Sequence, residues 1–259
     1  MLKRNFLKEK LQKGDSVIGT WSMIPSTVTT DIIASSGVDF LIIDAEHGPV
    51  SFEMAQDMAM ICESQGVSPV MRVGTIDESD ILKALDIGVH CIQIPNVGKK
   101  ADVEKIVELA KYPPVGKRGF SPFTRAGNYS IENSKTLTQK ANENTLIAIN
   151  IEGKEAIEDI DNILKIEELD IIFIGLFDLS KALGIPGDVD NEKVLNYLED
   201  LTKKISDAGK YAGTITTSKE KITAFLDLGL NYIVHLVDCE MLRASYTDVV
   251  KYFQSEKEK

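Results

Sequence analysis

Arginine is scarce in this chain: of 29 basic side chains, only Arg4, Arg72, Arg118, Arg125 and Arg243 are arginines, and they stand against 40 acidic ones. The resulting net charge of −11 repels a phosphate backbone and excludes a nucleic-acid partner. No apolar run approaches the ~20 residues a membrane-spanning helix needs, so no membrane partner is expected. The start, Met1-Leu2-Lys3-Arg4-Asn5-Phe6-Leu7-Lys8, places charges where a secretory leader needs an apolar stretch. It reads as a short amphipathic helix over about residues 3–13. Cysteine is nearly absent. Cys62, Cys91 and Cys239 are odd in number, lack CxxC spacing and sit among apolar residues. That excludes a disulfide framework or a thiolate zinc site and predicts three buried free thiols in a reducing, cytoplasmic compartment. No GxGxxG or Walker loop occurs, so the usual nucleotide cradles are missing.

What is present is a regular alternation. Short apolar, β-branched runs near Ser16–Trp21, Phe40–Asp44, Pro69–Val73, Cys91–Pro95, Leu146–Glu152, Ile171–Gly175, Tyr211–Ile215 and Tyr232–Leu236 predict eight strands. Runs such as Phe40-Leu41-Ile42-Ile43 are apolar throughout, as parallel strands buried on both faces must be. Helical periodicity fills the intervals, the last helix running from about Glu240 to Phe253. Eight strand–helix units in 259 residues predict a single-domain α/β fold, a (β/α)8 TIM barrel spanning 1–259. The connection over 111–145 is the long one. Its Pro, Gly and Arg content predicts a functional loop near the active site.

Chemistry in such a barrel sits where the carboxyl ends of the strands converge. Asp44, Glu46, His47, Arg72, Glu152 and Asp178 all fall at those ends. Glu152 and Asp178 offer hard oxygens to a divalent cation and leave positions for water and substrate, which suits Mg²⁺ or Mn²⁺ better than zinc. For Asp178, capping the next helix is an equal alternative. Arg72 presents a planar fork for a carboxylate or a developing oxyanion. The His47 imidazole can serve as an acid or a base, with Asp44 fixing its tautomer. His90 and His235 read as packing or surface residues. The predicted strands contain no lysine, which disfavours a strand-borne Schiff base.

The segments Phe40–Pro49 (FLIIDAEHGP), Tyr112–Gly119 (YPPVGKRG), Thr124-Arg125-Ala126, Ile151-Glu152 and Phe173–Ser180 (FIGLFDLS), with Arg72, resemble the HpcH/HpaI aldolases, in order from about Gly19 to Tyr246. The resemblance implies a metal-dependent pyruvate aldolase that cleaves a 4-hydroxy-2-oxo acid to pyruvate and an aldehyde through a metal-stabilised enolate. It implies Glu152 and Asp178 as ligands of Mg²⁺ or Mn²⁺, with Co²⁺ as a further choice, and Arg72 as the grip on the pyruvyl oxygens. His47 with Asp44 becomes the acid/base pair, acting directly or through water, and Glu46 orders water beside the metal. Gly175 and the backbone around Phe177 and Asp178 take the pyruvate carboxylate, and Arg125 meets the distal end of the aldehyde. A trimer-of-dimers hexamer is implied, its last helix packed on a neighbouring subunit. The chain departs from the family at Leu176, where proline is usual, at Phe177, and at Asn150, where glutamine is frequent. A related lyase or oxaloacetate-type decarboxylase is the alternative enzyme, and a non-catalytic binding protein for an anionic metabolite is the alternative of another class.

Overall fold

Eight strands, β1 (Val17–Ser22), β2 (Phe40–Asp44), β3 (Ser68–Arg72), β4 (Cys91–Ile94), β5 (Leu146–Ile151), β6 (Ile171–Ile174), β7 (Tyr211–Thr216) and β8 (Tyr232–Val237), pair in parallel in a computed structural model describing residues 4–132 and 134–259. They close in sequence order, with β8 returning to β1. This is the expected (β/α)8 barrel, and every strand lies within two residues of its predicted bounds.

The apolar runs are explained by two separate cores. Alternate residues of each strand face inward, and Val17, Phe40, Ile42, Val70, Cys91, Leu146, Ala148, Ile171, Phe173, Tyr232 and Val234 fill the barrel. Their neighbours, among them Ile43, Met71, Ile92, Ile147, Ile149 and Ile172, face outward under the helices. Phe40 and Tyr232 stack inside the barrel with centroids 4.1 Å apart and planes 13° from parallel. The pair fits because Gly19 and Gly213 lie against it: a Cβ on Gly19 would sit 2.5 Å from the Phe40 ring, and one on Gly213 2.7 Å from Tyr232 Cδ1.

The N-terminal helix, Phe6–Gln12, closes the amino end of the barrel with Leu7 and Leu11, both buried. Asn5 caps it, accepting from Lys8 N at 3.0 Å, and ties it down by donating to the carbonyls of His90 and Asn144. The predicted helix start at residue 3 lies outside the described residues. The last helix is longer than expected, Asp238–Lys257. No helix of the described residues is long and apolar enough to cross a membrane.

Two expectations are corrected here. The connection over 111–145 follows a helix, Lys100–Ala110, and leads into β5, so it returns the chain to the amino rim rather than the carboxyl rim. Its contacts confirm that position: Ala126 N donates to Asp86 O, and Lys111 Nζ donates to Thr145 O. The second correction concerns the thiols. Cys62 and Cys91 are buried, but Cys239, in the first turn of the last helix, is exposed. A native-state titration with a thiol reagent should therefore find one reactive cysteine per chain, and three in denaturant. Burial pushes the Cys62 thiol up to about 12 from an ordinary 9.0. Above pH 9 the unfolded chain thus releases a proton that the folded chain keeps, and the stability contributed by this thiol falls as pH rises. Urea unfolding of wild type and Cys62→Ala at pH 7.5 and pH 10 should show the wild-type advantage shrinking at the higher pH.

Candidate active site at the carboxyl rim of the barrel

Asp44 and Arg72 end their strands as direct register partners, which brings an acid and a base side by side on the inward face. They form a two-pronged ion pair, with Arg72 Nε donating to Asp44 Oδ1 at 2.9 Å and Nη2 to Oδ2 at 2.7 Å. The third guanidinium nitrogen, Nη1, lies 2.9 Å from Glu46 Oε2, and the group stacks 4.0 Å from the Trp21 ring centroid. Asp44 is 1% exposed, so its charge depends on this pairing. Burial raises the Glu46 carboxyl above its ordinary value, against the opposing pull of Arg72. Asn96, with φ of 55°, donates to Glu46 Oε1 at 3.2 Å and holds it from the other side.

The expected Asp44–His47 pair is not formed through the imidazole. Asp44 Oδ1 accepts instead from the backbone N–H of Glu46 and of His47, at 3.1 and 3.4 Å, and so shapes the loop rather than the ring. The carboxylate has its oxygens engaged by Arg72, which a neighbouring strand presents at fixed register. The His47 ring is exposed, and its nearest acidic partner is Glu46, with Nε2 3.7 Å from Oε2.

Glu152 and Asp178 face the same cavity, about 200 Å³ in volume, whose walls also include His47, Arg72, Trp21 and Phe177. Glu152 follows β5 and lies over Gly175, where an added Cβ would approach its Cγ to 3.2 Å. Gly175, not Asp178, is the N-cap of the helix Leu176–Ala182, and Asp178 makes no capping bond, so the capping alternative for Asp178 is not realised. Among the described residues, neither carboxylate is paired with a lysine or arginine. Asn150 Nδ2 donates to Glu152 Oε1 at 3.0 Å. No group of three or more His, Cys, Asp or Glu side chains suited to a metal occurs among the described residues. Two unpaired carboxylates on one wall fit a hard cation that keeps water or substrate oxygens in its remaining positions.

Arg125 and Arg118 do not reach this mouth. Arg125 is 5% exposed on the amino rim, where Nη1 donates to Ile87 O at 2.6 Å and Nη2 to Glu63 Oε2 at 2.5 Å. Arg118 pairs with Asp86 at 2.7 Å and stacks on Tyr112. Both belong to the helix-to-strand connection, so they brace the far end of the barrel, and Arg125 does not meet substrate in its own chain. Four contributors carry no strong signal in the sequence. Trp21, the single tryptophan, backs Arg72, and its place near the end of β1 was the available signal. Asp238 accepts from Ser22 Oγ, Met23 N and Ile24 N at 2.9–3.1 Å, pinning the loop that brings Met23 to the cavity. Ile215 and Val237 complete its apolar side, with no sequence signal beyond their strand positions.

Comparison with known proteins covers almost the whole chain. The model of the HpcH/HpaI aldolase/citrate lyase family matches residues 18–243. A hydroxypyruvate/pyruvate aldolase of Roseobacter denitrificans is 31% identical over 245 residues, covering 92% of this chain and 93% of the relative. A 2-keto-3-deoxy-L-rhamnonate aldolase of Escherichia coli is 31% identical over 255 residues, with 98% and 94% covered. The crystal structure of an HpcH/HpaI aldolase from Desulfitobacterium hafniense superposes with a TM-score of 0.92 at 30% identity, covering 97% of both chains. Barrel and near-full-length similarity agree: the chain belongs to the HpcH/HpaI aldolase/citrate lyase family.

Proposed function

We propose that this enzyme is a divalent-cation-dependent aldolase that reversibly cleaves a 4-hydroxy-2-oxo acid to pyruvate and an aldehyde. The observation that carries the reading is the pair of unpaired carboxylates, Glu152 and Asp178, sharing one cavity with the Arg72 guanidinium. The relatives' names, both aldolases of 2-oxo acids, support it.

Glu152 and Asp178 would hold the cation, Mg²⁺ or Mn²⁺ by their all-oxygen chemistry. When bound, it supplies Lewis-acid polarisation of the 2-oxo group and stabilises the negative charge that builds there. Arg72, braced by Asp44, Glu46 and Trp21, presents a preorganised positive charge to the same oxygen. The backbone N–H groups at Phe177 and Asp178 precede the first helical bond, Leu179 N to Gly175 O at 2.9 Å, and are available to the pyruvyl carboxylate beside Gly175. His47 Nε2 takes the 4-hydroxyl proton. The O–H electron pair becomes the aldehyde C=O, the C3–C4 bond breaks, and its pair passes into the pyruvate enolate, which is then protonated at C3. Glu46, 3.7 Å from the imidazole, stabilises the imidazolium so formed.

The assay is coupled pyruvate release from several 4-hydroxy-2-oxo acids with added Mg²⁺ or Mn²⁺. EDTA-sensitive turnover on at least one is expected, and none on any would overturn the reading. Carbon dioxide release without an aldehyde would identify a decarboxylase instead, and metal-dependent binding of pyruvate or oxalate without turnover would identify a binding protein. We also place the chain in a hexamer, its final helix against a neighbouring subunit. Tyr246, Val249, Val250, Tyr252 and Phe253 are exposed along that helix and would be covered there. Light scattering after size exclusion tests the mass. The buried free thiols Cys62 and Cys91 suit a reducing cytoplasm.

A further inference from the structure

We propose that Asn150 is a positioning residue for Glu152, and that its amide is held in the working orientation by a hydrogen-bonded relay running from Tyr232 through Gln93. The inference rests on the reading of Glu152 as a cation ligand, and it concerns how this chain aims that ligand.

The barrel interior is otherwise apolar between the Phe40–Tyr232 stack and the rim, and two carboxamides buried there must satisfy one another. They do so with a definite polarity. Tyr232 Oη donates to Gln93 Oε1 at 3.3 Å, which turns the amide nitrogen of Gln93 toward Asn150. Gln93 Nε2 donates to Asn150 Oδ1 at 2.7 Å, and this in turn leaves Asn150 Nδ2 facing Glu152 Oε1 at 3.0 Å. A flipped Asn150 would set its oxygen against the carboxylate and its NH₂ against that of Gln93, two repulsive contacts where two bonds now stand. An inverted chain would have Gln93 donate to the Tyr232 oxygen and would strip the buried Tyr232 O–H of the acceptor it now has, its ring being held by the Phe40 stack. Gln93 and Asn150 are 0% and 1% exposed, so water does not substitute for either link. The relay therefore delivers an N–H donor to one oxygen of Glu152, a residue that lines the mouth cavity, and leaves Oε2 outside that bond. A pair of aliphatic residues at 93 and 150 would pack as the rest of the interior does, but would leave the carboxylate without a fixed direction.

Mn²⁺ binding to the full-length protein tests this. Asn150→Leu should weaken Mn²⁺ binding about tenfold, the scale on which groups that orient a ligand act. Gln93→Leu should weaken it in the same direction, by less, since Asn150 remains but its amide is free to turn. The double variant Gln93→Leu/Asn150→Leu should bind like Asn150→Leu alone, because Gln93 acts only through Asn150. Tyr232→Phe keeps the stacked ring and loses only the hydroxyl, so it serves as the mild variant should a carboxamide deletion fail to fold, and it should also weaken Mn²⁺ binding. Mn²⁺ affinity of Asn150→Leu within about twofold of wild type, or losses from the two single variants that multiply in the double, would overturn the relay. If wild type itself binds no Mn²⁺, the cation reading falls separately. The relay is then judged by metal-free crystal structures: one Glu152 rotamer in wild type and several in Asn150→Leu supports it, and an unchanged single rotamer overturns it.

Discussion

Glu152→Gln and Asp178→Asn will each lower kcat/KM for pyruvate release by on the order of 10³-fold or more, equivalent to about 4 kcal/mol of transition-state stabilisation. Each change is nearly isosteric and removes one of the two formal charges that would hold the cation. In Glu152→Gln the new amide can keep its oxygen on Asn150 Nδ2, because that bond needs only an acceptor, and then places its NH₂ where the second carboxylate oxygen stood. The donor set then presents a hydrogen-bond donor where the cation needs an anion. Stability should be unchanged or slightly raised, since neither carboxylate has a cationic partner among the described residues. Titrating Mn²⁺ into each variant during the assay should recover little activity below millimolar metal. Either variant turning over at the wild-type rate, with wild-type sensitivity to EDTA, would remove that residue from the cation site.

Arg72→Met should have the second-largest effect, on two measurements at once. It leaves Asp44, 1% exposed, and Glu46 facing each other with no cation between them. Removing one partner of a buried pair costs about 3–5 kcal/mol, which for a chain of this size lowers the melting temperature by roughly 10 °C. Activity should fall by on the order of 10²-fold or more if Arg72 has the proposed role, because the positive charge that would face the developing enolate is lost. The two effects separate with two further variants. Arg72→Lys keeps the charge but cannot reproduce the two-pronged bond or the Trp21 stack, so it should recover more stability than activity. Arg72→Met/Asp44→Leu should recover stability, having deleted the stranded acid, and recover no activity. An Arg72→Lys variant with wild-type kcat would show that charge alone suffices and that the fork geometry has no part in the reaction.

The strands were legible because their constraint is local. A strand covered on both faces must be apolar at consecutive positions, and runs such as Phe40–Ile43 and Ile171–Ile174 meet that condition. The rim acids were legible for a related reason: Asp44 and Glu152 interrupt or end apolar runs, and in a barrel a polar residue at that point has only the mouth to face. Tyr232 and Gln93 were less so. Tyr232 looks like any aromatic β residue, and its role as the buried end of a relay depends on which residue closes against it across the barrel.

The arginines mark the boundary most clearly. Sequence alone determined the eight-unit barrel and the set Asp44, Glu46, His47, Arg72, Glu152 and Asp178 at the strand ends, because period and strand termini are properties of short segments. The tertiary structure decided the partners. It set Asp44 against Arg72 rather than the His47 ring, since neighbouring strands meet at fixed register while His47 sits in the loop beyond β2 with its ring exposed. It sent Arg118 and Arg125 to the amino rim, because a connection from helix to strand must return the chain to where the next strand begins. With only five arginines in a chain of net charge −11, that leaves Arg72 as the arginine lining the mouth cavity. Which charges meet is a matter of closure, and closure is not written in any one segment.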